Sequence, residues 1–277
     1  MGSQLAALPL NGMVNPDKLR SFGNQVDFGQ TAEDYAAYRA GFPRAFFELL
    51  VSRQFAREGE TALDLGCGTG TLARGLARLG LSVTGLDPAK SLLEQARAFD
   101  MQAGLSLDYR VGQAENTGLP DAHFDLVTAG QCWHWFDRTR VVNEVMRLLA
   151  SGGRIIIAHF DWLPLQGNVV AATEELILSF NPEWAGAGGS GIYPDWLSDL
   201  GEAGFSKLET HSFDVTQPYD HAGWRGRIRA SAGVAASLSE EETSRFDAEL
   251  AALLNRDFAN ETLEIPHRVW FATGCKT

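Results

Sequence analysis

Short apolar runs alternate with longer amphipathic segments through the first half of the chain. The short runs, bounded by Gly, Asp and Pro, predict buried strands, whereas the longer segments have the spacing of helices. The predicted strands are 61–65, 82–86, 107–111, 124–129 and 154–159, and the predicted helices are 71–79, 89–103 and 138–149, the last ended by Ser151-Gly152-Gly153. This alternation predicts a doubly wound, mostly parallel sheet.

The regions on either side of this stretch are less regular. Residues 31–55 are predicted to be helical with an interruption at Pro43, after an irregular arm. Downstream, we expect helices at 168–180, 194–203 and 240–257, a mobile loop at 181–193, and strands at 205–215 and 267–273 that give the sheet an antiparallel edge. The predicted fold class is α/β and Rossmann-like, with an N-terminal arm and a C-terminal helical cap. Its expected parts are a lid (1–55), a core (56–160) and a cap with the last strands (161–277).

The strongest chemical signal is the turn between the first predicted strand and helix, Leu63-Asp64-Leu65-Gly66-Cys67-Gly68-Thr69-Gly70. Glycines there let the backbone approach a ligand at a helix N-terminus. A dinucleotide fingerprint would need glycine at position 71, which is Thr, so a nicotinamide-dependent oxidoreductase is disfavoured. Asp64, two residues before the first glycine, suits a ligand that carries an ammonium and a sulfonium group.

Charge and cysteine content limit the classes of partner and the compartment that we expect for this protein. A formal net charge of −12 and scattered basic residues argue against nucleic acid or an anionic membrane as the main partner. The three cysteines are far apart and lack zinc spacing, which favours reduced thiols in the cytoplasm. No apolar run is long enough to predict a transmembrane helix, and no set of His, Asp and Glu residues has metal-ligand spacing.

The glycine turn resembles motif I of the class I S-adenosylmethionine (SAM)-dependent methyltransferases, and residues from about Tyr35 to Gly153 match that family as an ordered series. The resemblance implies the family's fold, with SAM as the methyl donor, S-adenosylhomocysteine (SAH) as its product and a small molecule as acceptor. It places the cofactor against Asp64 and the residues of the turn, Gly66, Cys67, Gly68, Thr69 and Gly70.

Two more candidate cofactor segments follow the next predicted strands, where an open α/β sheet binds ligands. Asp87, followed by Pro88, suits the two ribose hydroxyls of SAM, although Asp-Pro also starts turns. The resemblance places Gln113, Ala114 and Glu115 at the adenine, and a solvated loop is the alternative.

Upstream, Tyr35-Ala36-Ala37-Tyr38-Arg39 resembles a segment whose Tyr and Arg approach the methionyl carboxylate in small-molecule methyltransferases. This implies roles for Tyr38 and Arg39, since a guanidinium binds a carboxylate with two parallel hydrogen bonds. A surface helix with a solvated Arg39 is the alternative. Phe28 is a candidate cover for the ligand, and simple aromatic packing explains it equally well.

The reaction centre is expected after the fourth predicted strand, at Gln131-Cys132-Trp133-His134-Trp135-Phe136-Asp137. The segment resembles an H-W-F-D signature loosely akin to the aconitate and "type 11" methyltransferases. Gln131 is a candidate for the methionyl amine, and His134 is a candidate general base because imidazole titrates near neutral pH. The alternative for His134 is that it orients the loop or caps the next helix. Trp133 and Trp135 are candidate acceptor contacts that line the pocket, as core or wall aromatics rather than catalysts.

Trp162 and Arg225 are the remaining candidate acceptor contacts, with a structural Arg225 as the alternative. The sequence thus predicts a cytoplasmic methyltransferase that acts on a small molecule by in-line displacement. The rival hypothesis is a non-enzymatic module with the same fold that binds a ligand or a partner.

Overall fold

A seven-stranded sheet forms the centre of the computed structural model, which describes residues 41–234 and 237–277. The strands are β1 Thr61–Leu65, β2 Ser82–Asp87, β3 Asp108–Val111, β4 Phe124–Gly130, β5 Leu149–Trp162, β6 Ser206–Asp220 and β7 Thr262–Cys275. Their order is β3-β2-β1-β4-β5-β7-β6. Strands β1 to β5 pair in parallel, and β7 runs antiparallel to both β5 and β6. The predicted fold class is confirmed.

Helices cover both faces of this sheet. They are α1 Arg44–Ser52, α2 Thr71–Arg78, α3 Lys90–Gln102, a 3-10 turn at Trp133–Trp135, α4 Arg138–Leu148, α5 Val169–Phe180, α6 Asp195–Glu202, α7 His221–Arg229 and α8 Glu240–Asp257. The predicted helices match these within one residue or so at each end, except that α1 begins only after Pro43, and residues 31–40 of the predicted first helix lie outside the described residues.

Alternating side chains of the strands make the core on each face. Ile155 and Ile157 of β5 pack beneath α4 and α6, whereas Ile156 and Ala158 pack on the opposite face with α1 and α2. A third apolar cluster joins α5, α7 and α8 to the first residues of β7. This helical layer is the C-terminal cap of the prediction.

Helix α7 was not predicted, because its sequence contains Gly223 and Gly226, and glycine weakens helices. Capping and tertiary contacts stabilise α7 despite its low intrinsic helix propensity. The Asp220 side chain accepts the Gly223 N–H at 2.6 Å, and Trp224 and Ile228 are buried beneath the helix. Tertiary burial therefore sets this helix.

The predicted end of α4 is confirmed within one residue, but the predicted role of Ser151-Gly152-Gly153 in ending it was wrong. Helix α4 ends at Leu148, and Ser151, Gly152 and Gly153 lie in β5 instead of terminating a helix. A Cβ on Gly153 would lie 3.1 Å from the Phe124 carbonyl oxygen on β4, so this glycine allows the strands to approach. Strands β6 and β7 also extend beyond the predicted limits, since each pairs with the other along its length.

The predicted loop at 181–193 contains neither helix nor strand. Within the described ranges, no helix combines the length and the apolar character needed to cross a membrane. The same residues contain no cluster of three His, Cys, Asp or Glu side chains suited to a metal ion.

Candidate cofactor and acceptor site

The glycine turn after β1 has a backbone that other residues rarely adopt. Gly66, Gly68 and Gly70 have φ angles of +60°, +52° and +75°. A Cβ on Gly66 would lie 2.9 Å from Cys132, and one on Gly70 would collide with the Tyr109 hydroxyl. The glycines therefore serve both the left-handed turn and the close approach of neighbouring chain.

Asp87 lies at the end of β2 and ties that strand to the glycine turn. Its carboxylate accepts the N–H of Gly68 at 2.9 Å and the N–H of Ala89 at 2.8 Å. Burial raises the pKa of Asp87, and these two hydrogen bonds oppose the rise. Each carboxylate oxygen keeps further acceptor capacity, so the side chain can hold the turn and accept ligand hydroxyls together. The adjoining Pro88 is exposed.

Asp64 lies beneath the same turn and is 1% exposed. Its carboxylate accepts the Thr128 hydroxyl at 2.7 Å and the Ala73 N–H at 3.2 Å, joining β1 to β4 and to the first turn of α2. Burial raises its pKa to about 7, although both hydrogen bonds lower it. A cationic ligand nearby would favour the ionised form of this carboxylate.

A cleft opens beside the glycine turn and Asp64, at the point where the strand order reverses. The cleft is lined by Gly41, Phe42, Asp64, Gly66, Cys67, Thr69, Thr71, Leu72, Gly130 and Gln131. Most of the residues predicted around motif I therefore meet in one place.

Gln131 reaches this cleft from β4 with an unusual backbone, since its φ angle is +60°. Its N–H donates to the Ala158 carbonyl at 2.8 Å, and its side-chain amide donates to the Phe160 carbonyl at 3.1 Å. Strand β5 thus holds Gln131 at the mouth of the cleft.

The predicted adenine segment after β3 has mixed environments. Gln113 is exposed, and Ala114 is buried in the core cluster beneath α4. Glu115 accepts the N–H of Asp137, the residue that caps α4, at 3.0 Å. Glu115 therefore joins this loop to the loop after β4.

The aromatic residues after β4 have different surroundings. Trp133 is fully buried, and its indole N–H donates to Asp199 at 3.0 Å. The prediction that it lines the acceptor site is wrong, because it is part of the core. Trp135 is half-buried and contacts His134, with ring centroids 4.7 Å apart.

Sequence reasoning missed His159 as a site residue. His159 and Asp161 alternate on β5, so their side chains share one face, and the Nδ1 atom of His159 lies 3.1 Å from an Asp161 oxygen. The Tyr193 hydroxyl donates to Asp161 at 2.6 Å, and the ring of His134 lies 5.1 Å from that of His159. The sequence feature that could have identified this pair is the spacing of two residues between His159 and Asp161 near the end of a predicted strand.

Trp162 ends β5 and is held by the cap. Its indole N–H donates to the buried Glu174 at 2.7 Å, and the guanidinium of Arg227 lies 4.7 Å from its ring centroid. The predicted Arg225 instead binds Asp247 of α8, together with Arg229. Along α7, Arg227 is therefore the arginine beside Trp162. Phe28, Tyr38 and Arg39 lie outside the described residues.

The sequence comparisons agree with this geometry. Residues 63–157 match a family model described as a methyltransferase domain. The ubiquinone biosynthesis O-methyltransferase of Xanthomonas axonopodis pv. citri is 28% identical over 183 residues, which cover 65% of this chain and 74% of that protein. An uncharacterized methyltransferase of Mycobacterium tuberculosis is 35% identical over 130 residues, covering 47% of this chain and 50% of that protein.

Solved structures share the fold. Phosphoethanolamine N-methyltransferase 2 of Haemonchus contortus, in complex with SAM, superposes with a TM-score of 0.56 at 18% identity, covering 93% of this chain and 60% of that one. The YcgJ protein of Bacillus subtilis has a TM-score of 0.54 at 18% identity, covering 84% and 99%. Taken with the domain match and the glycine turn, these findings show that the chain contains a methyltransferase domain at residues 63–157 and has the fold of the class I SAM-dependent enzymes.

Proposed function

We propose that this methyltransferase transfers the SAM methyl group to a small-molecule acceptor and binds the cofactor at the carboxyl ends of β1, β2 and β4. The observation that carries the proposal is the convergence of three features on one edge of the sheet: the left-handed glycine turn, the Asp87 carboxylate bound to the N–H of Gly68, and the buried Asp64. The residues present fit SAM, since a ligand with two hydroxyls and a cationic end meets two carboxylates there.

Each part of SAM has a matching group. Asp87 accepts the ribose hydroxyls, and Asp64 favours the cationic methionyl end. The turn brings backbone close to the ligand, and Gln131 lies where the methionyl amine can meet it. The complete proposed cofactor set is Tyr38, Arg39, Asp64, Gly66, Cys67, Gly68, Thr69, Gly70, Asp87, Pro88, Gln113, Ala114, Glu115 and Gln131.

SAM supplies an activated methyl group, so the protein mainly aligns the acceptor, the methyl carbon and the sulfur. The loop after β4 and the end of β5 supply the surroundings of the acceptor, with Trp135 and Trp162 as aromatic contacts. Arg227 takes the place expected for Arg225, because Arg225 is held by Asp247 whereas Arg227 lies beside Trp162.

A small acceptor is supported by the acidic chain and by the name of the Xanthomonas relative, an O-methyltransferase of ubiquinone biosynthesis. A formal charge of −12 disfavours nucleic acid as the acceptor. A cytoplasmic location stays a prediction, supported by three cysteines that are all free thiols.

The test combines binding with transfer. Calorimetry should detect SAM and SAH but not NADH. Methyl-labelled SAM should then label a component of a metabolite extract, and a protein or RNA fraction treated in parallel should stay unlabelled. Label in the protein or RNA fraction alone would refute the small-molecule acceptor.

A further inference from the structure

His159 is a buried imidazole with one nitrogen engaged and one unused. The residue is 4% exposed. Its Nδ1 atom lies 3.1 Å and 3.2 Å from the two oxygens of Asp161, whereas its Nε2 atom is buried without a hydrogen-bond partner among the described residues. Leaving a polar atom unpaired in the interior costs about 1–3 kcal/mol, and such an atom in a native structure calls for an explanation.

Asp161 decides which nitrogen of His159 carries the proton. Burial alone would raise the pKa of Asp161, but its interactions with His159, Tyr193 and His134 lower that pKa to about 2, so the carboxyl group is ionised at neutral pH. Burial and the Asp161 charge keep the pKa of the Tyr193 hydroxyl well above its usual range, so Tyr193 stays a donor. When the ring is neutral, the ionised Asp161 accepts the Nδ1 proton, and the lone pair is then on Nε2.

The titratable groups around this imidazole come from three parts of the fold. Asp161 lies on the same strand as His159. The ring of Tyr193, from the segment before α6, has its centroid 4.5 Å from that of His159, and the ring of His134, from the loop after β4, has its centroid 5.1 Å away. Trp196 of α6, at 4.9 Å, and Trp270 of β7, the cross-strand partner, are uncharged. Among the described residues, the ring therefore lies between aromatic groups and one carboxylate, that of Asp161.

The imidazole is connected to the lining of the cofactor cleft through neighbouring residues. Gln131 lines the cleft, and its N–H donates to the carbonyl of Ala158, the residue immediately before His159. His134, three residues after Gln131, contacts the His159 ring. The loop after β4, where the acceptor is expected, therefore contacts His159.

We propose that His159, oriented by Asp161 and Tyr193, is the general base of the reaction and that the acceptor carries a weakly acidic hydroxyl. This rests on the proposed function. The hydroxyl proton moves to Nε2 of His159, the oxygen lone pair forms the bond to the methyl carbon, and the electrons of the breaking C–S bond stay on sulfur to give SAH. The imidazolium, stabilised by Asp161, then returns its proton to solvent.

A hydroxyl fits this base better than an amine does. A neutral amine is already nucleophilic and can lose its proton after transfer, whereas a hydroxyl gains reactivity from losing its proton first. The aromatic neighbours Tyr193 and Trp196, stacked at 4.2 Å, favour an aromatic acceptor, so the proposal specifies a phenol.

Nitrogen NMR of the SAH complex shows which ring nitrogen of His159 carries a proton, and it needs no acceptor. At about pH 8, His159 should carry its proton on Nδ1 and none on Nε2. Asp161→Asn should shift that tautomer balance. A proton on Nε2 of His159 in the wild type would overturn the proposal, whatever acceptors the enzyme uses.

Transfer from methyl-labelled SAM to two phenols provides the second test. His159→Gln should reduce transfer to phenol, which is un-ionised at about pH 8, by roughly a hundredfold or more. It should spare most transfer to 4-nitrophenol, which is already ionised, and leave SAH affinity unchanged. His211→Gln is the matched control, because His211 also lies within 3.4 Å of a carboxylate, Glu209, on the distant strand β6.

The outcomes separate the two proposals. If His159→Gln reduced the transfer to both phenols equally, or reduced SAH affinity, His159 would be a structural residue. If His134→Gln reduced transfer to phenol but spared transfer to 4-nitrophenol, His134 would be the base. Either result overturns the inference. A wild type that binds no SAH refutes the proposed cofactor site instead, and a wild type that methylates neither phenol leaves the decision to the NMR result.

Discussion

The two halves of the site are built in different ways. The cofactor half, residues 61–137, places glycines, backbone N–H groups and two carboxylates at the carboxyl ends of neighbouring strands. The acceptor half, residues 149–275, assembles aromatic, imidazole and charged side chains from β5, the segment before α6, and α7. In the first half the important groups are close in sequence, whereas in the second they are joined by the fold.

This difference has an energetic side. The cofactor half depends on backbone geometry and space, so that one added methyl group disturbs it. The acceptor half depends on pairs of side chains, such as Tyr193 with Asp161 and Trp162 with Glu174. Substitutions in the first half should therefore change cofactor affinity most, and those in the second should change acceptor rate or stability.

The largest effect on SAH affinity is expected for Gly70→Ala. The new Cβ would collide with the Tyr109 hydroxyl, and its φ of +75° adds roughly 1–2 kcal/mol of backbone strain. We expect a loss of affinity of at least about a hundredfold, near 2.7 kcal/mol. Gly59→Ala is the control, since it has φ +86° but open space around it. Calorimetry that finds equal affinities for both variants would contradict the collision argument.

Asp87→Ala should have the next largest effect. It removes the acceptor of the ribose hydroxyls and frees the N–H groups of Gly68 and Ala89. Because hydrogen bonds to charged groups contribute about 1.5–3 kcal/mol, SAM affinity should fall at least about tenfold. Asp108→Ala removes an exposed carboxylate on the next strand, where it pairs only with nearby Arg110, and should leave affinity unchanged. A loss below about twofold for Asp87→Ala would leave Asp87 as a turn residue.

Asp64 should make SAM binding depend on pH. Its pKa is raised from 3.8 to about 7, so the folded protein favours the protonated form of Asp64. The stabilisation from that form is full below pH 3.8 and is lost as pH rises through about 7. A cationic ligand favours the ionised form, so binding should release protons and strengthen by about tenfold from pH 5 to 8. Calorimetry in buffers of different ionisation enthalpy counts those protons. Asp64→Asn should remove the release, and its persistence would assign it to another group.

Asp247→Asn should have the smallest effect on the cofactor half. It weakens the ion pairs of Arg225 and Arg229 and should lower the free energy of unfolding by about 1–3 kcal/mol, with SAH affinity unchanged. Thermal melts and calorimetry on one preparation measure both. A change in acceptor KM without a change in stability would restore Arg225 as an acceptor contact.

Local pattern was enough for much of the cofactor half. The apolar run at 61–65, the three spaced glycines and Asp87 are read directly from the chain, and the structure places the turn and Asp87 together. The pattern worked because strand, turn and helix N-terminus are neighbours in sequence. It failed at Trp133, since nothing in the local pattern distinguishes a buried aromatic residue from one that lines a site.

By itself, then, the sequence determined the alternating elements, the parallel sheet and the strand ends at which a cofactor can bind, because hydrophobic period and glycine geometry act over a few residues. Only the tertiary structure decided that α7 forms, that Arg227 rather than Arg225 lies beside Trp162, and that Tyr193 meets Asp161. Those contacts join residues far apart in the chain. Their free energy comes from burial and pairing, which no local pattern encodes.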